Sequence, residues 1–323
     1  MGAVGPSEPT AWVVSSMPRR EAQIKTKPKV SIIGAGRLGT ALALALTSRG
    51  YGIRALVARR LSHARKALQM ISGAGMALAE NQLAELPASE LILIATPDDV
   101  IGSVAAKLAT ASKVARELPK HSRTVLHTSG ALSSIVLKPL ADIGFHTGSL
   151  HPLVSINEPR AGSASLGTAF YCLEGDRAAM RVARSIVKDL GGRSFSIESD
   201  SKALYHAAAV MASGHTTALF DVAVEMLTKC GLTEANSRRV LLPLLESTWR
   251  NLATSNPAQA LTGTFARGDE ATVHKHLTAL TLARQVDALA IYRLLGQRSL
   301  RLLAKNGADP KLIQRIDKML RSV

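Results

Sequence analysis

The strongest constraint in this chain is the run Val30-Ser31-Ile32-Ile33-Gly34-Ala35-Gly36-Arg37-Leu38-Gly39, which leads directly into Thr40-Ala41-Leu42-Ala43-Leu44. A short apolar segment, a GxGxxG set and an Ala/Leu-rich segment in that order predict a buried strand, a tight turn and a helix. Each glycine has its own physical task. Gly34 makes the turn, Gly36 lets the backbone approach a bulky anion, and Gly39 permits close packing of helix on strand. The first N–H groups of such a helix have no partner within it and are free to bind phosphate oxygens. The segment therefore predicts a dinucleotide-binding unit, with Gly34, Ala35, Gly36, Arg37, Leu38 and Gly39 at the pyrophosphate.

The end of the next strand, predicted over Gly52–Val57, selects the nucleotide. An NAD site places a carboxylate there for the free ribose hydroxyl, whereas this chain continues Ala58-Arg59-Arg60-Leu61-Ser62. Arg59 and Arg60, with Ser62, predict a 2′-phosphate and hence NADP(H). Ala95-Thr96-Pro97-Asp98 ends another predicted strand, Leu91–Ala95. Its proline and acid suit a first helical turn, and its place at a strand's carboxyl end predicts a neighbour of the nicotinamide ribose. His127-Thr128-Ser129-Gly130 stands at the equivalent end of the predicted strand Thr124–His127, with Thr128 toward cofactor and Ser129 toward substrate.

Strand and helix signals continue to alternate through Phe170–Leu173, Ala178–Leu190 and Arg193–Ile197, which is the rhythm of a parallel sheet. From Asp200 onward the periodicity is helical, interrupted at Gly231, Asn256-Pro257, Gly263, Gly268 and Asn306-Gly307. The predicted organisation is an α/β Rossmann domain over 27–198 followed by an all-helical C-terminal domain over 199–323. Residues 1–26 mix Pro, Gly, Ser and basic residues without periodicity and are predicted to be a disordered extension. They lack a secretory apolar core; a transit peptide, or a start at Met17, stays open.

The formal charge of +16 comes from 40 basic and 24 acidic residues. They are scattered, and aromatics make up only 3%, which argues against a nucleic-acid interface and for a field that attracts anionic small molecules. No uninterrupted apolar run approaches the roughly 20 residues of a membrane span. Cys172 and Cys230 are far apart and outside any Cys/His cluster, so neither a disulfide framework nor a metal site is expected. A reducing, cytoplasmic setting follows as the expectation.

The segments IIGAGRLGTAL, ATPDDVI, HTSGALS, GSLHPL, LEGD, LGGRSF, ALYHAAAVMASGH and LTGTFARGD, taken in this order, resemble Rossmann-like proteins carrying the domain of unknown function 2520. That group is similar to the pyrroline-5-carboxylate reductase and 6-phosphogluconate dehydrogenase superfamily, and the likeness spans roughly residues 28 to 315. It implies a C-terminal helical domain, usually dimerised, that closes over the nicotinamide. Some relatives are assigned ketopantoate reductase activity, which implies a branched 2-oxo acid; cyclic-imine reduction and prephenate-type oxidation are the neighbouring activities. Exchange of hydride with a deazaflavin also occurs in the superfamily. Gly214 stands where many relatives are expected to carry Asn, so a polar contact is either missing or supplied by His215.

Carbonyl reduction builds negative charge on oxygen, so the site needs a donor there and an acid for the proton. Lys202, His206, Ser213 and Thr217 fall on roughly one face of a single predicted helix. Related hydroxyacid dehydrogenases use a Lys at the start of this helix with a polar residue four positions later, which Lys202 and His206 resemble. Prephenate dehydrogenases share a GxHP segment whose histidine contacts substrate, which points to His151, in a predicted loop. Ser129 is expected opposite as a second donor. Thr262, Gly263, Thr264 and Arg267 resemble the carboxylate-holding loop of pyrroline-5-carboxylate reductases, and Ser213 and His215 complete the expected substrate set. The function implied is NADP(H)-dependent reduction of a small carboxylate-bearing 2-oxo acid by a homodimer. A non-catalytic NADP(H)-binding sensor is the reading of a different class.

Overall fold

The computed structural model describes residues 27–72, 75–111 and 123–322; the expectation for residues 1–26 lies outside them. Two compact units divide between His206 and Ala207, inside a helix and eight residues beyond the boundary expected from composition. The first turn of that helix is anchored by Lys202 and Tyr205 in the first unit, as described below.

The first unit holds the strands β1 (Val30–Ile33), β2 (Ile53–Ala58), β3 (Met76–Ala79), β4 (Leu91–Ile94), β5 (Thr124–His127), β6 (His146–Leu153), β7 (Phe170–Gly175) and β8 (Arg193–Ser196). They form one sheet in the order β3-β2-β1-β4-β5-β6-β7-β8. Neighbours are parallel except β6 and β7. The chain runs outward from β1 to β3 and then returns to the other side of β1, so β1 and β4 flank the switch point at which such sheets bind ligands.

Both faces of the sheet are covered, which is why β1, β4 and β5 read as continuous apolar runs. Ile32, Leu93 and Leu126 join Leu42 and Leu46 of helix Arg37–Ser48 and Ile186 of helix Arg177–Leu190 in one core. Ile33, Ile94 and Val125 point the other way, onto Ile101 and Val104 of helix Asp98–Ala111. Each such side chain, buried from water, contributes about 1.5–3 kcal/mol. Helix Arg177–Leu190 starts where Asp176 accepts from the N–H groups of Ala178 and Ala179, and it stops at Gly191, whose φ is 94°.

Sequence reading misses β3 and β6. The first, Met-Ala-Leu-Ala, has no β-branched residue. The second, HTGSLHPL, is interrupted by Gly, Ser and Pro. Its proline is tolerated because β5 pairs with β6 only as far as Ser149, while Pro152 has β7 alone beside it. His151 therefore lies on a strand and not in a loop, which corrects the expectation above.

The second unit is helical. Helices Glu270–Leu282, Val286–Lys305 and Pro310–Arg321 enclose a core of Val273, Leu277, Leu300, Leu303, Ile316 and Leu320. The helix expected to carry Lys202 through Thr217 on one face is two helices, Lys202–Ala212 and Gly214–Lys229. Ser213 breaks it at φ −121°, ψ −77°, and its N–H turns back to the Val210 carbonyl. Glycine at 214 weakens helix propagation at that point. The stretch 199–229 as a whole is long and apolar enough to span a membrane by length and composition, which a search for uninterrupted apolar runs does not reveal. Leu204, Met211 and Leu219 along it are exposed.

Candidate functional site

Two groups of residues in the first unit carry chemistry. The earlier one is the cavity at the switch point, of about 470 Å³, lined by Gly34, Ala35, Gly36, Ala95, Thr96 and Pro97 together with Ala58, Arg59, Arg60, His63, Glu80 and Val100. The glycines do what the motif requires. Gly34 has φ +106°, and a Cβ there would collide with the Ala95 carbonyl; a Cβ on Gly39 would collide with the Gly34 carbonyl. A Cβ on Gly36 would meet nothing within 4 Å, so this position faces open space where a bound group can approach.

The helix beginning at Arg37 has no side-chain cap at Gly36, which leaves its first N–H groups for an anion. Thr96 Oγ1 is buried without a hydrogen-bond partner, and it belongs to the wall of this cavity. A buried hydroxyl of that kind calls for a ligand or water. Arg59 and Arg60 are exposed at the end of β2, and neither is in an ion pair among the described residues. Glu80, the acid nearby, is neutralised by Lys107 at 3.0 Å. These residues fit a dinucleotide whose ribose bears a phosphate. Of the other residues assigned to the cofactor, Arg37 and Leu38 open the helix, Ser62 is in the second position of helix Leu61–Met70, and Thr128 is buried with its hydroxyl 3.5 Å from the Ile94 carbonyl.

The second group lies beyond β5 and on β6, β7 and the start of helix Lys202–Ala212. Lys202 is only 1% exposed, and its ammonium donates to the Ser129 carbonyl at 3.0 Å and to Ser149 Oγ at 2.7 Å. Burial pushes its pKa down. Ser129 Oγ donates to Asp98 Oδ2 at 2.8 Å and accepts from the N–H groups of Ala131 and Leu132 at 3.1 and 3.0 Å. One donor and two acceptor sites are thereby spent. The expectation that Ser129 offers its proton to a substrate does not fit this geometry; the hydroxyl instead ties the loop to the start of helix Asp98–Ala111.

His151 Nδ1 is 2.6 Å from the Tyr205 hydroxyl, and the His151 ring meets that of His206 edge-on with centroids 5.6 Å apart. Gly130 makes this packing possible. A Cβ there would stand 2.9 Å from His151 Cε1 and Nε2 and would also collide with His206. Burial, and then the Lys202 charge, lower the pKa of both His127 and His151 to about 4. Burial raises that of Tyr205, which stays protonated. In the tautomer in which Tyr205 donates to Nδ1, the neutral imidazole carries its proton on Nε2, beside Gly130, as a donor; in the other, Nδ1–H donates to Tyr205 and Nε2 accepts.

Sequence reasoning missed Tyr205, Ser149, His127 and Glu174, although each stands inside a quoted motif. Glu174 is 6% exposed on β7; it accepts from Ser134 N and Oγ at 2.7 Å each and from Ser199 Oγ at 2.8 Å. It thus braces the segment after Ser129 against the segment before Lys202. The remaining predicted substrate residues belong to the second unit. Ser213 Oγ donates to the Ala209 carbonyl, His215 is exposed, and Thr262 precedes a short helix, Gly263–Ala266, that ends at the exposed Arg267. The segment expected to be a carboxylate-holding loop is thus partly helical.

The buried histidines set a pH dependence of stability. Both bind protons less readily folded than unfolded, so from about pH 6.5 down to about pH 4 the unfolded state holds more protons and stability falls with pH. At 1.4 kcal/mol per unit each contributes at most about 3 kcal/mol. Urea melts at pH 7, 5.5 and 4 are expected to show this decline, and a smaller one in His151→Gln. Stability constant across the window would contradict the burial of neutral imidazoles.

Residues 16–152 match the family of Rossmann-like domains, and residues 169–299 match the domain of unknown function DUF2520. No curated protein matches the chain. Among solved structures, one from Bacteroides fragilis, assigned to the NADP oxidoreductases, is 23% identical with TM-score 0.65, over 85% of this chain and 98% of its own. A Thermotoga maritima protein is 22% identical with TM-score 0.63, over 91% of this chain and 100% of its own. A Plasmodium falciparum pyrroline carboxylate reductase with NADP bound is 13% identical with TM-score 0.51, over 91% and 99%. At these identities the likeness is one of fold.

Proposed function

We propose that this chain, which joins a Rossmann-like domain to a DUF2520 domain, is an NADP(H)-dependent oxidoreductase acting on a small carboxylate-bearing 2-oxo acid. The observation that carries the reading is the switch-point cavity, where the open face of Gly36, the unpartnered Thr96 hydroxyl and the unpaired Arg59 and Arg60 come together. Gly34 to Gly39 would hold the pyrophosphate, and Arg59 and Arg60 the 2′-phosphate. NADPH, when bound, supplies the hydride.

The chain's own residues then orient the substrate and manage the proton. His151 becomes the first choice for the group that touches substrate, because its Nε2 stands beside Gly130 while the Lys202 ammonium is turned into the protein. A neutral imidazole donates to an oxygen that gains negative charge, and Tyr205 behind it holds the ring and its tautomer. Lys202 fixes the Ser129-Gly130 backbone and keeps a positive charge close by. Ser213, His215, Thr262, Gly263, Thr264 and Arg267 are proposed to hold the substrate carboxylate, and ketopantoate is the leading substrate. The free thiols Cys172 and Cys230 suit a reducing compartment such as the cytoplasm.

One observation favours a second reading, an NADP(H)-binding protein without catalysis: Ser129 spends its one donor, and Lys202 two of its three, on the protein itself. Following NADPH oxidation by the purified chain across 2-oxo acids and cyclic imines separates the two. Turnover with a 2-oxo acid supports the enzyme proposed, turnover with imines alone replaces its substrate class, and NADPH binding without turnover in any mixture establishes the second reading.

A homodimer is part of the proposal. Leu204, Met211, Leu219, Leu242, Leu244 and Trp249 are each more than 40% exposed, an apolar surface that monomers rarely present to water. A second copy, covering the stretch 199–229, accounts for it better than a bilayer, which would have to take in Asp200, Asp221 and Glu225. Light scattering at micromolar concentration is expected to give twice the chain mass of 34.2 kDa. A monomeric mass, or partition into vesicles, would refute this assignment.

A further inference from the structure

Helix Arg177–Leu190 buries Ala179, Ala183, Ile186 and Leu190 against the sheet. At 100° per residue, Arg177, Arg181 and Arg184 then fall within an arc of about 60° on its other side. These arginines share a cavity of about 490 Å³ with Ser196, Glu198 and Ser199, and Glu174 forms part of its wall. All three are exposed, and none is within ion-pair distance of a carboxylate among the described residues.

Two of the nearby acids are engaged elsewhere, and the third, Glu198, lines the cavity outside ion-pair distance of all three arginines, leaving an excess of positive charge there. Asp176 accepts from the N–H groups of Ala178, Ala179 and Thr147, and Glu174 is held by Ser134 and Ser199. An ordinary solvated helix face sets opposite charges four residues apart, because like charges at that spacing repel. Arg177 and Arg181 are like charges at that spacing, around a cavity large enough for a small molecule. A bound anion would offset the repulsion.

We propose that this cavity binds a small polyanion, a molecule whose two anionic groups lie about 6–10 Å apart, the rise along the helix from Arg177 to Arg181 and to Arg184 at about 1.5 Å per residue. Guanidinium forks engage phosphate and carboxylate oxygens in pairs, and the Ser196 hydroxyl supplies a further donor. The occupant would touch the strand whose Glu174 braces Ser134 and Ser199, and so would lie against the framework of Lys202. This site is independent of the nucleotide cavity and of the reaction proposed above.

The test is calorimetric titration of the full chain with tripolyphosphate and, separately, with citrate. Saturable binding of either that persists with the nucleotide cavity filled by excess NADP+ supports the site, and the tighter of the two tells phosphate from carboxylate ligands. Arg181→Glu/Arg184→Glu is expected to weaken binding by about tenfold or more, since at least one charge-assisted pair is lost. Arg59→Ala/Arg60→Ala, at the nucleotide cavity, should leave it within about threefold, as should Arg238→Glu/Arg239→Glu, which changes the net charge as much as the first pair but lies in the other unit. All substituted arginines are exposed, so the fold should persist, and unchanged melting temperatures will verify it. No binding at millimolar concentration, equal loss in both Glu pairs, or loss in the Arg59/Arg60 pair would each overturn the proposal.

Discussion

Replacing Arg59 and Arg60 together with alanine should weaken NADPH binding by about 3–6 kcal/mol, or roughly 10²–10⁴-fold, at about 1.5–3 kcal/mol for each hydrogen bond to a charged group. Binding of NADH should barely change. The asymmetry follows from where the two arginines are: both stand at the end of β2 on the wall of the nucleotide cavity, and neither is paired with an acid among the described residues. Their exposure to water places the effect toward the lower end of that range. Fluorescence titration of wild type and variant with both nucleotides measures it. Equal affinities for NADPH and NADH in the wild type, or equal losses in the variant, would remove the 2′-phosphate from the proposal.

His151→Ala and Lys202→Met should each lower turnover by the roughly 10²–10⁴-fold typical of a positioned acid or donor, with NADPH affinity nearly unchanged. The effects separate because NADPH affinity rests on the pyrophosphate at the glycine loop and the 2′-phosphate at Arg59 and Arg60, away from the nicotinamide. The two variants should nonetheless fail for different reasons. His151→Ala removes a donor. Lys202→Met frees the Ser129 carbonyl and the Ser149 hydroxyl that the ammonium now holds, and the loop bearing Gly130 loses its anchor. Unfolding is not the expected outcome, since replacing a buried cation by an apolar chain also removes its desolvation cost. Tyr205→Phe tells orientation from donation: it keeps the ring but loses the bond to Nδ1, and should shift the pH profile more than it lowers the maximum rate. Turnover within a few-fold of wild type in both His151→Ala and Lys202→Met would show that the proton is handled elsewhere, and would put His206 first.

The nucleotide half of the molecule was legible in the amino-acid sequence because its determinants are local. Turn geometry at Gly34, the open face of Gly36 and the close approach at Gly39 depend on residues within one strand, one turn and one helix. The apolar runs that make β1, β4 and β5 are equally local, since a strand covered on both faces leaves no polar positions to obscure it. Arg59 and Arg60 could be placed for the same reason: they directly follow β2. Where local signal was weak, the reading failed. Strand β6, with its Gly and Pro, is held by partners far away in the chain, and a helix that looked continuous breaks at Ser213 before Gly214.

The second group of residues needed the tertiary structure. Ser129 and Lys202 are separated by 73 residues, and His151 and Tyr205 by 54. Their meeting follows from the antiparallel return of β7 beside β6 and the entry of helix Lys202–Ala212 next to them. Helical spacing singled out Lys202 and His206, and the resemblance of the GxHP segment His151, but neither could show that Lys202 is buried or that the hydroxyl of Ser129 is already spent. Those facts depend on three-dimensional neighbours: the Ser129 carbonyl and Ser149 for the ammonium, Asp98 for the hydroxyl. Nor could either show Glu174 as a brace, since a carboxylate in a strand reads as an outward-facing residue until the two serines that bury it are in place. The sequence by itself determined the nucleotide-binding unit and the residue types of the site, through short-range sterics and hydrophobic periodicity. Only the tertiary structure decided which donors face inward and which are free, because hydrogen-bond satisfaction and burial are properties of the packed chain and not of its order.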